Sequence, residues 1–187
     1  VWRRRRWWRD GRRSCRLFAD RLARGRVWGR GAVVRGPYVW GEPGSAYVAG
    51  RANEEGHVGQ FALESPRQVD ADYDLGRFDS DGPDGIPNSG DDDGEVDYVF
   101  INLLAVPRNF LFGKATGSAE LGFEPDYIAA DRSAQGGFIR VSGALYRGAM
   151  LQAGSFARAV GAMAHEFGHA LGPRSLPDLY DTSFQDE

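Results

Sequence analysis

A mixed domain, α/β or α+β, is what this sequence predicts, and three observations carry the prediction. The run "EVDYVFINLLAV" at 95–106 has the continuous apolar character of a strand buried on both faces. The segment "GGFIRVSGALYRG" at 136–148 alternates Phe138, Arg140 and Ser142 against Ile139, Val141 and Gly143, as a strand or hairpin does. The segment "SFARAVGAMAHEFGHALGP" has helical spacing, with Ser155 suited to the N-cap, Gly172 to the position after the last turn and Pro173 beyond it.

Taken in order, residues 1–30 are set apart. They are rich in arginine, with "RRRR" at Arg3 to Arg6, and show no sustained period beyond a short amphipathic stretch at Leu17 to Leu22. They read as a disordered basic arm or as a segment that is not native to the protein, and no function is assigned to them. No apolar h-region follows the arginines, and the chain begins at Val1, which leaves the start of the protein open. From Gly31 the texture changes to a folded domain spanning 31–187. "GAVVRGPYVWG" predicts strand, turn, strand around Gly36-Pro37. "VGQFALESPRQVDADY" predicts a helix ending near Pro66.

Composition excludes several classes. The 187 residues suit one domain, and 42% hydrophobic residues can build a core. No stretch reaches the roughly 18 apolar residues of a membrane span. The lone Cys15 allows no internal disulfide and no thiolate pair for a metal. A formal charge of -3 conceals a basic start and an acidic middle, and the acidic run from Asp70 to Asp97 argues against nucleic acid as a partner.

The chemistry is concentrated in "AHEFGHALG". Four residues of helix turn through about 400°, so His165 and His169 emerge one turn apart on one face. Two imidazoles so placed can both reach one zinc ion, and Glu166 beside them can take a proton from water at the metal. Phe156, Val160, Met163, Phe167 and Leu171 form the apolar stripe that would hold this helix against the sheet. His57 has no such partner and reads as a loop residue.

The acidic loop "DSDGPDGIPNSGDDDGEVD" at 79–97 is the second feature. Counting twelve positions from Asp79 or Asp91 gives Gly90 or Asn102, so it is no EF-hand. The carboxylates among glycines match looser calcium loops instead. Asp91, Asp93 and Asp97 are the best-spaced set, and Asp79, Asp81 and Asp84 are candidates for the same cage. The alternative is a solvated acidic loop with no ion.

"AHEFGHALG" followed by "LPDLYDT" resembles the immune inhibitor A family of secreted zinc metallopeptidases, whose pattern runs H-E-x-G-H-x-L-G-L-P-D. "GAVVRGPYVW" and the aspartate-rich loop with its following strand extend the resemblance over roughly residues 31–182. The resemblance implies a zincin-like catalytic domain with zinc on His165 and His169, Glu166 as general base and Asp178 as third ligand. It implies protein or peptide substrates and an extracellular location. Two departures stand out. Pro173, Arg174 and Ser175 delay Asp178 by three residues, which makes Asp181 the fallback and Glu187 a poor third choice. Such peptidases also need chain beyond the motif, including a methionine turn, while Met150 and Met163 lie before or within the zinc helix. The expectation is a catalytic domain incomplete at its C-terminus. Tyr146 and Tyr180 are candidates for stabilising the oxyanion, packing being the commoner role of such residues. Two rivals remain: a catalytically silent, calcium-bound extracellular module that keeps the helix for structure, and a protein that binds anionic surfaces through its basic arm.

Overall fold

The computed structural model describes residues 33–48, 56–103, 106, 110–113, 115–152 and 155–171. These form an α+β arrangement of two α-helices and two small sheets. In chain order they are α1 (Val58–Asp70), β1 (Val99–Asn102), β2 (Gly117–Ser118), β3 (Tyr127–Arg132), β4 (Phe138–Val141), β5 (Gly148–Leu151) and α2 (Phe156–Leu171). Short 3-10 turns occupy Gly44–Ala46 and Leu75–Phe78. The basic arm lies outside the described residues.

One sheet runs β1-β5-β2, with β1 parallel and β2 antiparallel to β5; the other is the antiparallel pair β3-β4. The central strand β5 has the sequence Gly-Ala-Met-Leu, which lacks the β-branched residues that mark a strand, and the sequence reading missed it. Tertiary packing overrides that composition. All four residues are buried, and a side chain at Gly148 would meet the Val99 carbonyl and Leu121 Cγ, each at 2.9 Å. The neighbouring β1 is shorter and less buried than "EVDYVFINLLAV" predicts. Val99 and Phe100 are half-buried, Ile101 is buried and Asn102 exposed. Among the described strands β1 pairs only with β5.

The alternation predicted for 136–148 holds from Phe138 to Val141, where Ile139 and Val141 are buried and Phe138 and Arg140 face out, and fails at Ser142, which is buried past the end of the strand. In contrast, the expected strands around Gly36-Pro37 are absent from the described part of that segment, 33–40. Val33, Val34 and Val39 are exposed there, and the segment is held through Trp40 instead. The Trp40 ring stacks on Phe61 at 4.6 Å, and its indole N–H donates to the Phe61 carbonyl at 2.8 Å.

Helix α1 continues past Pro66 to Asp70, four residues further than predicted. Proline removes one helical hydrogen bond, but its ring and Ala62 are buried together. The extra turn is anchored from outside, where the Asp70 carboxylate accepts the Tyr127 hydroxyl at 2.6 Å and the Ala130 amide at 3.0 Å. One apolar cluster joins α1 to both sheets, with Phe61, Ile101, Leu121, Ile139, Val141 and Met150 among its members.

Because β5 is the strand on which the first sheet closes, crowding at Gly148 should be costly. Gly148→Ala is expected to destabilise by about 1–3 kcal/mol in urea unfolding. Gly90→Ala, whose added methyl meets nothing within 4 Å, should change stability by less than about 0.5 kcal/mol. Equal losses in the two variants would contradict the packing of β5.

Candidate functional site

Helix α2 starts as predicted. The Ser155 hydroxyl accepts the Arg158 amide at 3.4 Å and its carbonyl accepts the Ala159 amide at 2.9 Å, satisfying donors that the first turn leaves open. The helix packs on β5 and β2. Two aromatic contacts brace it, from Tyr98 just before β1 and from Phe100 within it, against Phe167 at centroid distances of 5.0 and 5.9 Å.

This seating puts three polar side chains together. His165 is exposed, His169 half-buried and Glu166 buried. The two imidazoles meet edge to face, their Nε2 atoms 3.3 Å apart, and one ligand atom from each of the three residues lies within 4.8 Å of the others. Two nitrogens bound to one tetrahedral zinc at 2.0–2.1 Å would sit about 3.3 Å apart. The spacing of the two nitrogens is compatible with one shared metal ion, as it is with a hydrogen bond between the rings. Asp178, Asp181, Glu187 and Tyr180 lie outside the described residues, as do Pro173, Arg174 and Ser175.

Glu166 has an unusual setting for a carboxylate. A side chain at Gly117 would come within 3.0 Å of Glu166 Oε1 and 2.9 Å of both Leu151 Cδ2 and the Met150 carbonyl. The glycine on β2 thus leaves space that a side chain would contest with both the sheet and the end of Glu166. Burial pushes the Glu166 carboxyl up, against the opposing pull of His165 and His169. Two further residues complete the surroundings. The Tyr98 hydroxyl is buried without a hydrogen-bond partner among the described residues, and burial, then the Glu166 charge, raise its pKa. Tyr146 has a left-handed backbone, φ +68°, and its ring stacks on His169 at 6.0 Å and 14°. Such a conformation is uncommon for a bulky residue, and the Tyr146 amide secures it by donating to the Ala119 carbonyl at 2.8 Å. Gly117 and Tyr98 carried no signal in the sequence, since one is a lone glycine and the other a tyrosine in an apolar run. Tyr146 stood out only as one of two candidate tyrosines. His57, read as a loop residue, occupies the N-cap position of α1.

Of the six aspartates expected to form a cage, Asp79, Asp81 and Asp97 bring ligand oxygens within 4.8 Å of one another. Asp84 and Asp91 instead turn oxygens to the loop, on the Ile86 amide at 2.7 Å and the Asp84 amide at 3.2 Å respectively. Asp93 accepts the Glu95 amide at 2.9 Å. Asp92, which the sequence did not single out, is the residue that pins the loop. It is buried and accepts the Gly82 amide at 2.7 Å and the Ser89 amide at 2.6 Å.

Asp79 is buried as deeply as Asp92. Burial, then the charges of Asp92, Asp93 and Asp81, push its pKa from 3.8 up to about 7, against a hydrogen bond from the Gly94 amide. Its protonated form thus favours the fold, so the contribution is full below about pH 4 and is lost as pH rises through about 7. Asp97 and Glu95, both raised chiefly by burial, act in the same direction. In chelator, the melting temperature should fall from about pH 4 to about pH 7, and Asp79→Asn should flatten the fall. An unchanged slope in Asp79→Asn would contradict this assignment.

Comparison of the chain with protein-family models, with curated proteins and with solved structures finds no match.

Proposed function

We propose that this chain carries the zinc helix of a zincin-like metalloendopeptidase, acting on protein or peptide substrates outside the cell. The reading is supported above all by one observation: two histidine nitrogens 3.3 Å apart on one helical face, with a buried glutamate between them in sequence. His165 and His169 would hold the metal, with Asp178 as third ligand and Asp181 as the fallback. The immune inhibitor A-like pattern around these residues supports the extracellular setting. No described helix is long and apolar enough to cross a membrane.

Zinc, when bound at such a site, polarises the scissile carbonyl and acidifies the attacking water. Glu166 would accept the proton from that water and deliver it to the departing amine. Its buried setting suits the double task, because burial raises the carboxyl above its ordinary value and so strengthens it as a base. The packing of Glu166 over Gly117 restricts where the carboxylate can swing, which is what a general base needs. Tyr146 would hold the His169 ring through its stacked face.

Metal content and turnover on a fluorogenic peptide mixture test the proposal together. The parent should hold about one zinc per chain, and His165→Ala should hold far less. Glu166→Gln should keep the zinc and lose turnover by about 10²–10⁴-fold. Loss of zinc in Asp178→Ala would identify the third ligand, and its retention would move that role to Asp181. A parent that takes no zinc, or a Glu166→Gln protein as active as the parent, would sink the reading. Zinc without turnover in the parent would favour the silent module.

A further inference from the structure

The aspartates of the acidic loop differ in how fully the loop's own donors meet their oxygens. Asp84, Asp91, Asp92 and Asp93 have oxygens engaged by the loop's own amides. Asp79, Asp81 and Asp97 converge on one another, and none of them is in an ion pair among the described residues.

Within the converging group, Asp79 is 1% exposed. Its Oδ2 accepts the Gly94 amide at 3.1 Å, but its Oδ1 is buried with no hydrogen-bond partner among the described residues. A buried acceptor left without a donor is costly, and two further carboxylates facing it add repulsion. Asp97 is already fixed in place, since the Ser80 amide and hydroxyl donate to it at 3.2 and 2.8 Å. Asp81 Oδ1 accepts the Asp93 amide at 3.2 Å, which aims that side chain across the loop as well. Of the buried oxygens on these three residues, Asp79 Oδ1 is the one left without any donor among the described residues.

We propose that Asp79, Asp81 and Asp97 form a calcium site that ties the two ends of the acidic loop together. The donors are all carboxylate oxygens, a set suited to a hard cation and not to zinc. The loop is rich in glycine and its path irregular, so carbonyls and water can complete six to eight ligands at adaptable distances, which calcium accepts and magnesium does not. Asp79 closes the 3-10 turn at Leu75–Phe78, and Asp97 stands two residues before β1. A cation between them removes the freedom of the intervening chain and fixes the entry of the strand. The next residue, Tyr98, packs on Phe167, so the site also steadies the strand that braces α2. No residue is shared with the zinc site, and the inference stands whether or not the peptidase reading does.

The test is calcium chloride titrated into the full chain after chelator treatment and dialysis, followed by calorimetry and thermal melts. One saturable site is expected, with Kd of about 10⁻³ M or tighter and a higher melting temperature. Asp81→Asn and Asp97→Asn should each weaken binding by about tenfold or more. Asp84→Asn should stay within about twofold of the parent, its oxygens being turned to the loop. Asp81 is exposed, so its variant probes binding without disturbing a buried position, and circular dichroism of the metal-free variant checks that it folds. Zinc content measured on the same samples separates this outcome from that of the zinc helix. Absence of saturable binding up to about 10 mM calcium, or an equal loss in Asp84→Asn, would overturn the site. The same stabilisation by magnesium at equal concentration would overturn its assignment to calcium.

Discussion

The approach of α2 to the backbone of β2 governs the candidate site. A side chain at Gly117 would meet Leu151 Cδ2, the Met150 carbonyl and Glu166 Oε1, so the glycine leaves the space in which the carboxylate end of Glu166 lies over β2. Once Glu166 is fixed, helical geometry determines where His165 and His169 emerge, because all three belong to the same helix, His169 one turn beyond His165. The placement of these three side chains is thus set less by the histidines than by the sheet beneath them. That sheet depends in turn on β5, a fully buried strand whose own glycine lets β1 close on it.

Two buried aspartates in one loop show how the same residue type serves opposite ends. Asp92 has both oxygens paired with backbone amides, so its charge is solvated by the protein and its burial stabilises the loop. Asp79 has one oxygen paired and one left over, and the surrounding acids raise its affinity for a proton. Burial alone does not set the two apart: Asp79 keeps a buried oxygen without a donor among the described residues, and Asp92 does not.

What the sequence made legible follows from how local each signal is. Helix α2, its N-cap at Ser155 and the shared face of His165 and His169 depend on spacing within one element, and they were readable directly. The alternation of Ile139 and Val141 was readable for the same reason. β5 was not, because Gly-Ala-Met-Leu becomes a strand only through its neighbours on either side. The extra turn of α1 beyond Pro66 was hidden likewise, its support coming from Tyr127 and Ala130 far along the chain. In the acidic loop the spacing of Asp91, Asp93 and Asp97 favoured residues close in sequence. The structure gathers Asp79 and Asp81 onto Asp97 instead, since the loop folds back so that its ends meet.

That folding back links the two acidic features physically. Asp97 takes its place in the loop through Ser80, and its neighbour Tyr98 is already in contact with the helix that bears Glu166. The buried Tyr98 hydroxyl lies near enough to Glu166 for the carboxylate charge to raise its pKa. A shift in the loop's closure therefore has a short mechanical route to α2, one strand entry and one aromatic contact long. Phe100 supplies a second contact on the same ring, so the strand meets the helix at two points and cannot pivot on one. Packed rings of this kind transmit displacement because close-packed side chains have little room to absorb it.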